Sequence, residues 1–436
     1  MPYMTQTSKG EELNRLYEED RAVNEWYRFV LSYPPHLVRD YIRRFDLDEK
    51  HCVLDPFCGT GTTLVECKKQ GIKSVGIEAN PVVQFAASVK TDWHIDPDVL
   101  ITHAENVAEE TKDLILFEGV EDDPLFQPLD RNDITEYRKL NSDQEKLIIT
   151  NSISSRPLHK VLALLEKINE LKHLKCYNYE RLALAKQLVY TVSNLRFGPE
   201  VGVGKTKLDS PVVAPWLAGI RDMCEDLIVV KSQAHVSSVV HLGDARQINQ
   251  ILEPQSIDAI ITSPPYPNEK DYTRTTRLES VVLGFMEDRK DLRSHKEGLL
   301  RSNTRGVYKK DNDGDWIAEF DSVQNLANQI ENRRIELNKT SGFEKLYASV
   351  VRHYFGGMAR HLEDIKPILK PGASLAYVVG DQASYFRILI KTGELLAEIA
   401  ERLGYKVLDI DLFRTRFSTA TKQHIREEVV LLRWEG

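Results

Sequence analysis

With 436 residues the chain exceeds one ordinary compact core, so two or three structural units, or one catalytic domain with a large insertion, are expected. Hydrophobic residues at 42% and charged residues at 28% are those of a soluble globular protein, and no run reaches the roughly 18 apolar residues that suggest a membrane span. A formal net charge of −8 argues against holding nucleic acid by a general positive field, so any such contact must come from local basic surface.

Residues 1–20, MPYMTQTSKGEELNRLYEED, are polar and mixed in charge, without the apolar core of a secretory signal, so a cytoplasmic location is expected. Cys52, Cys58, Cys67, Cys176 and Cys224 are scattered, with no zinc or redox spacing, and are expected as reduced thiols with no metal. HCVLD at 51–55 predicts a short strand, PFCGTG a loop, TTLVECKKQ a helix stopped at Gly71, and SVGIE at 74–78 a second strand. Strand, Gly-rich turn, helix, strand is the first half of an α/β, doubly wound, Rossmann-like sheet. Residues 96–235 are then mostly charged and helix-patterned, as in HKVLALLEKINELKHL, which predicts a largely helical insertion. The strand pattern resumes at SSVVHLGD (237–244) and DAIITSPP (258–265), so the catalytic domain is split, with residues 1–95 as its first part and 236–436 as its second. Residues 286–341, polar and turn-prone at DNDGD, read as an extended loop or small subdomain. An amphipathic helix is expected over 343–366, locally weakened at Gly356-Gly357. LKPGASLAYVVGD, RILIKTGELLAEIAERLG, KVLDIDLFRTRF and EEVVLLRW predict a strand, a helix and two closing strands.

Chemistry concentrates at strand ends. In DPFCGTGTT, Gly59 and Gly61 permit a tight turn, and the following helix offers free backbone N–H groups to an anionic group. Glu78 ends the second strand, near the spacing at which a carboxylate accepts from ribose hydroxyls, and Asp244 in HLGDAR holds the matching place on the third, where it could accept an adenine amino proton. The sharpest signal is TSPPYPNEKDY at 262–272. An exocyclic amine on an aromatic base is a weak nucleophile because its lone pair is delocalised into the ring. Hydrogen bonds from that NH₂ to the Ser263 hydroxyl and a main-chain carbonyl at Pro264 favour a pyramidal nitrogen, with Pro264 and Pro265 holding the acceptors rigid. Tyr266 can stack on a base rotated out of a duplex.

DPFCGTGTT together with TSPPY resembles the amino-group DNA methyltransferases, particularly the cytosine-N4 members, over about residues 22–95 and 237–434. The resemblance implies S-adenosylmethionine as methyl donor, with Asp55, Phe57, Gly59 and Gly61 around its methionine part, Glu78 at its ribose and Asp244 at its adenine. It places Ser263, Pro264, Pro265 and Tyr266 around the target base, and WYRFVLSYPPHLV at 26–38 looks like the family's further cofactor-contacting segment. Two features depart from the pattern. Many Ser-type members carry the tetrad before the Gly-rich loop, whereas here the loop comes first, and 96–235 separates the second strand from Asp244. A Ser tetrad also occurs in some adenine-N6 enzymes, and RNA guanine-N2 methylases share a Gly-rich loop and a Pro-Pro-Tyr run. A non-catalytic DNA-binding protein of the same fold is the reading from a different class.

Double-stranded DNA is the expected partner, with a cognate restriction endonuclease as a second candidate. After the tetrad, residues 269–310 are rich in Lys and Arg, including Lys270, Arg274 and Arg277, and a phosphate-tracking strip is one reading. Interspersed Asp271, Glu279, Glu287 and Asp288 support a solvated charged face as the other. Arg414 and Arg416 lie between the last two predicted strands, where backbone contact and an ordinary charged hairpin are both consistent. SNLRFGPEVGVGKTKLDSPVVAPW at 193–216 is a candidate recognition loop or a flexible connector. Its GVGKT lacks the spacing of a phosphate-binding P-loop.

Overall fold

The central strands are short and apolar on both faces, as strands covered by helices on either side must be. A computed structural model describes residues 16–28, 32–123, 136–197, 200–418 and 421–436. It places β1 (Cys52–Asp55), β2 (Lys73–Glu78), β5 (Ser238–Leu242), β6 (Ile257–Thr262), β7 (Leu369–Gly380), β8 (Lys406–Ser418) and β9 (Gln423–Arg433) in one sheet, while β3 (Leu195–Arg196) and β4 (Gly202–Val203) form a separate antiparallel pair. The order is β5-β2-β1-β6-β7-β9-β8, parallel from β5 to β7, with β9 antiparallel to both its neighbours. Connections run outward in both directions from the β1–β6 pair, which leaves a crevice at their carboxyl ends. The α/β Rossmann-like fold read from the sequence is the fold observed.

Helices cover both faces. α1 (Pro35–Arg44), opened by a proline whose missing N–H costs nothing there, buries Leu37, Val38 and Ile42 against Val53, Ile261 and Val378 of the sheet. α2 (Thr62–Lys69) follows β1, and α3 (Pro81–Thr91) follows β2. Between β2 and β5 the chain is largely helical: α4 (Pro97–Phe117), α5 (Ser155–Glu170), α6 (Tyr177–Gln187) and α7 (Val213–Val230). Asp96 caps α4 by accepting from Asp98 N–H. These helices share one continuous core with Trp26, Tyr27, Phe85 and Leu278, so they pack directly on the sheet-covering elements.

Two regions gain detail that the sequence did not give. The segment 286–341, expected as a polar loop or small subdomain, contains helices Arg289–Glu297 and α8 (Asp321–Glu336). Val323, Leu326, Ala327 and Ile330 of α8 are buried at helical spacing, a four-residue stripe that the surrounding charge hides in the sequence. α9 (Tyr347–Ile365) runs unbroken through Gly356-Gly357. A Cβ on Gly356 would lie 1.9 Å from Asp313 O, so that glycine admits the turn Asp313–Ile317 against the helix. α10 (Thr392–Arg402) completes the layer before β8. No helix among the described residues is long and apolar enough to cross a membrane, and all five cysteines are free.

Candidate active site

β1 ends in Asp55, whose fully buried carboxylate accepts from Thr262 Oγ1 at 2.6 Å, Thr63 Oγ1 at 2.7 Å, Phe57 N–H at 3.1 Å and Tyr33 OH at 3.2 Å. It ties together the ends of the two central strands, the first turn of α2 and the segment before α1. Burial pushes its carboxyl up to about 6, with those donors opposing the rise. Gly59 and Gly61 both have left-handed φ, +51° and +83°. A Cβ on Gly61 would meet Ala87 Cβ of α3 at 3.2 Å, whereas the Cβ direction of Gly59 is open. Gly61 therefore serves close packing, and Gly59 opens on the crevice.

Glu78, at the end of β2, accepts from Gly59 N–H at 3.0 Å and Asn80 N–H at 2.8 Å, and burial pushes its carboxyl up to about 7. The amide of Gly59 thus points at an internal carboxylate rather than outward to a ligand anion. Asp244, just beyond β5, accepts from the guanidinium of Arg246 at 2.9 and 2.6 Å and from its backbone N–H at 2.9 Å. Arg246 also pairs with Asp313 and donates to Glu297 O at 3.0 Å, which fastens residues 297–313 to this strand end.

At the end of β6, Ser263 Oγ donates to Val378 O of β7 at 3.2 Å. With the proton directed there, the hydroxyl oxygen keeps acceptor capacity toward a further group, and the Tyr266 phenol is a second neighbour that hydrogen-bonds to the Ser263 side chain. Tyr266 N–H is 3.4 Å from Tyr272 OH, and the Tyr266 ring passes Gly380, where a Cβ would lie 3.0 Å from its Cε2. Burial, followed by the charge of Glu427, holds the Tyr266 phenol above its ordinary range. Ser263, Pro264, Pro265 and Tyr266 line a single cavity of about 660 Å³ with Phe57, Gly59, Glu78 and Asp244. Asp55 and Gly61 lie behind its wall.

The basic residues divide. Lys270, Arg414 and Arg416 line the same cavity. Burial, and then the neighbouring Arg416, hold the Lys270 ammonium below the ordinary lysine range. Arg414 pairs with Glu427, and Arg416 lies 3.4 Å from the same carboxylate while donating to Asp381 O at 3.0 Å and Gln382 Oε1 at 3.1 Å. Arg274, in the short helix Tyr272–Thr275, lies away from the cavity. Arg277 is turned inward, donating to Thr273 O at 3.1 Å, Thr273 Oγ1 at 2.9 Å and Leu147 O at 3.3 Å, because its half-buried guanidinium needs internal acceptors. Further along, Lys296 pairs with Asp271 and Arg301 with Asp311, at 2.8 and 2.9 Å, so the acidic neighbours neutralise much of the expected basic strip.

Ser32, Tyr33 and Pro34, from the segment 26–38, reach the cavity, while residues 29–31 of that segment lie outside the described residues. The 193–216 segment contributes nothing to the lining among its described residues, which exclude 198–199. Glu427, Gln382 and Tyr272 line the cavity without having been singled out in the sequence. No sequence signal singles out Glu427; its pairing with Arg414 appears only once β8 and β9 are in register. No group of three or more His, Cys, Asp or Glu with metal-holding geometry occurs among the described residues.

Residues 3–87 match a family model described as an N6/N4 methyltransferase, a DNA methylase. The chain is 25% identical to the Type II methyltransferase M.BsoBI of Geobacillus stearothermophilus, covering 93% of this chain and 83% of that relative. It is 24% identical to the Type II methyltransferase M.AvaI of a Nostoc species, covering 91% and 82% respectively. A shorter stretch of 74 residues, 17% of this chain and 14% of the relative, is 35% identical to the Type II methyltransferase M.MjaII of Methanocaldococcus jannaschii.

Proposed function

We propose, from the match of residues 3–87 to an N6/N4 DNA methylase model and the likeness to Type II methyltransferases over more than nine tenths of the chain, that this is a Type II enzyme transferring a methyl group from S-adenosylmethionine to the exocyclic N4 amine of cytosine in a specific double-stranded DNA sequence. The observation that carries this reading is the cavity that Ser263–Tyr266 share with the Gly59 turn and Glu78, with the Ser263 hydroxyl donating to Val378 O.

The residues fit the methyl donor. A cavity of about 660 Å³ falls within the roughly 300–1,000 Å³ of small-ligand sites. Nothing lies within 4 Å of a Cβ position on Gly59, and Glu78 offers a carboxylate for ribose hydroxyls beside it. When bound, the cofactor supplies an electrophilic sulfonium methyl. Phe57 and Gly59 would border its methionine end, and Asp244, oriented by Arg246, would accept from its amino group. No metal or covalent enzyme adduct is required for direct transfer.

At the other end, Tyr266 presents a ring on which a base turned out of the helix can stack, and Pro264 and Pro265 fix the main-chain acceptor beside it. Ser263 Oγ accepts one amine proton, which localises the nitrogen lone pair for attack. A neutral hydroxyl suffices as acceptor because it takes up no proton: the nitrogen becomes cationic and strongly acidic once the methyl has transferred, and then releases its proton to water. Cytosine is preferred to adenine on the cationic donors Lys270, Arg414 and Arg416 in the lining. Beside the amine both bases carry a ring-nitrogen acceptor, but only cytosine continues with a carbonyl oxygen, where adenine has a C–H. Adenine-N6 transfer is the second reading, supported by a family model that spans both activities.

Incubating the protein with DNA and labelled cofactor, digesting to nucleosides and identifying the product by mass tests both readings. N4-methyldeoxycytidine is expected. N6-methyldeoxyadenosine would replace the cytosine assignment, and absence of any methylated nucleoside despite cofactor binding would point to a non-catalytic DNA-binding protein. A cognate restriction endonuclease is the proposed functional partner, on the strength of the relatives' Type II designation.

A further inference from the structure

We propose that the buried imidazole of His361 is a positioning residue that holds the cofactor end of the cavity in register with its Ser263 end, an inference that rests on the methyltransferase reading above. His361 lies on α9 with no solvent exposure and belongs to none of the motifs that identify the site. Its Nδ1 is 2.7 Å from Ala245 O, and its Nε2 is 2.7 Å from Tyr377 OH. A peptide carbonyl can only accept, so Nδ1 carries the proton and Nε2 accepts from the phenol. One neutral tautomer satisfies both contacts. Burial favours that form by pushing the imidazole down to about 4.

The neighbours of this ring give it its role. Ala245 follows Asp244 and lines the cavity. Tyr377 precedes Val378, the residue whose carbonyl takes the Ser263 proton. Phe57, in the Gly-rich loop, packs edge-on against the imidazole with ring centroids 5.0 Å apart. One side chain therefore touches the loop after β1, the turn after β5 and the strand β7, three walls of the cavity that the chain brings in from widely separated places. An apolar ring of similar volume could fill the space. It could not hold the Ala245 carbonyl or the Tyr377 hydroxyl, and each would lose a partner in a desolvated interior, where hydrogen bonds fix geometry most strongly.

The test uses the full-length protein and three variants: His361→Phe, which keeps a ring and loses both hydrogen bonds; His361→Asn, which keeps a donor near the Nδ1 position; and Tyr377→Phe, which removes one hydroxyl. S-adenosylmethionine affinity is measured by calorimetric titration, at a temperature where circular dichroism shows each variant folded. Cofactor Kd should rise about tenfold in His361→Phe, recover most of the way in His361→Asn and rise about threefold in Tyr377→Phe. The KM for DNA should stay close to that of the wild type. Should His361→Phe not fold, Tyr377→Phe alone decides. Cofactor Kd within a factor of about two of wild type in the folded variants, whatever their melting temperatures, would overturn the positioning role. Failure of the wild-type protein itself to bind the cofactor would instead overturn the methyltransferase reading, and this inference with it.

Discussion

At the Gly59–Glu78 end of the cavity carboxylates grip the backbone, whereas at the Ser263–Tyr266 end side chains are held by one another and by rigid prolines. Glu78 accepts from two main-chain N–H groups and Asp55 from a third, so the Gly-rich loop is fixed without any external ligand. At the other end Ser263 is aligned by Val378 O, Arg414 and Arg416 bracket Glu427, and the missing side chain of Gly380 gives Tyr266 its place. The difference teaches where damage should appear. Changes at the first end distort a preformed cradle and should register as weaker cofactor binding. Under the proposed function, changes at the second remove contacts to the reacting amine and should register as slower turnover.

The largest expected effect is that of Ser263→Ala. If Ser263 is the amine's acceptor as proposed, its loss should lower kcat on the order of 10²-fold while leaving cofactor Kd within about twofold, measured by steady-state kinetics and calorimetry. Equal losses in both quantities would erase the distinction between the two ends. Gly61→Ala should do the reverse. Its φ of +83° disfavours alanine by roughly 1–2 kcal/mol, and its Cβ would press on Ala87 at 3.2 Å. Cofactor Kd should therefore rise about tenfold, with kcat at saturating cofactor near wild type.

An effect of similar size tests the base edge. Lys270→Met should lower kcat/KM on cytosine-containing DNA by roughly tenfold, in line with losing one charge-assisted hydrogen bond. On a target analogue lacking the 2-oxo group, wild type and variant should be equally slow. A full tenfold gap on that analogue would show that Lys270 acts elsewhere, for instance on phosphate.

Much of this comparison was legible in the sequence, and unevenly so. Both strand-end motifs stand out because their residue types are demanded locally: left-handed turns need Gly59 and Gly61, and Pro264 and Pro265 stiffen the chain just past β6. Residues that act through distant partners were hidden. Glu427 reads as one of several charges until β8 and β9 pair in register and set it beside Arg414. His361 reads as an ordinary helix residue until folding brings Phe57, Ala245 and Tyr377 to it. Arg277 looked available for phosphate because nothing in its neighbourhood announces Leu147, 130 positions earlier, as an acceptor. The α8 stripe was masked by charge, and Gly356 gave no hint of the turn that presses on it.

The smallest expected effect concerns protons at the cofactor end. Glu78 titrates at about 7 in the folded protein, against about 4.3 for an unperturbed glutamate. Between those values the folded state holds a proton that the unfolded chain has released, so this group's contribution to stability is complete at low pH and is lost as pH rises through about 7. Asp55, at about 6, and Glu279, at about 7, act in the same direction. Glu78→Gln should therefore flatten the fall in stability between about pH 5 and pH 7.5, read by denaturant titration at each pH. Cofactor binding should show the opposite slope in the wild type. Ribose hydroxyls donate best to the anion, so cofactor Kd should fall a few-fold from about pH 6 to pH 8, and the glutamine variant should lose that dependence. An unchanged wild-type Kd across this range would leave Glu78 as a clamp on Gly59 alone, and the cofactor end would then recognise its ligand through shape rather than through this carboxylate.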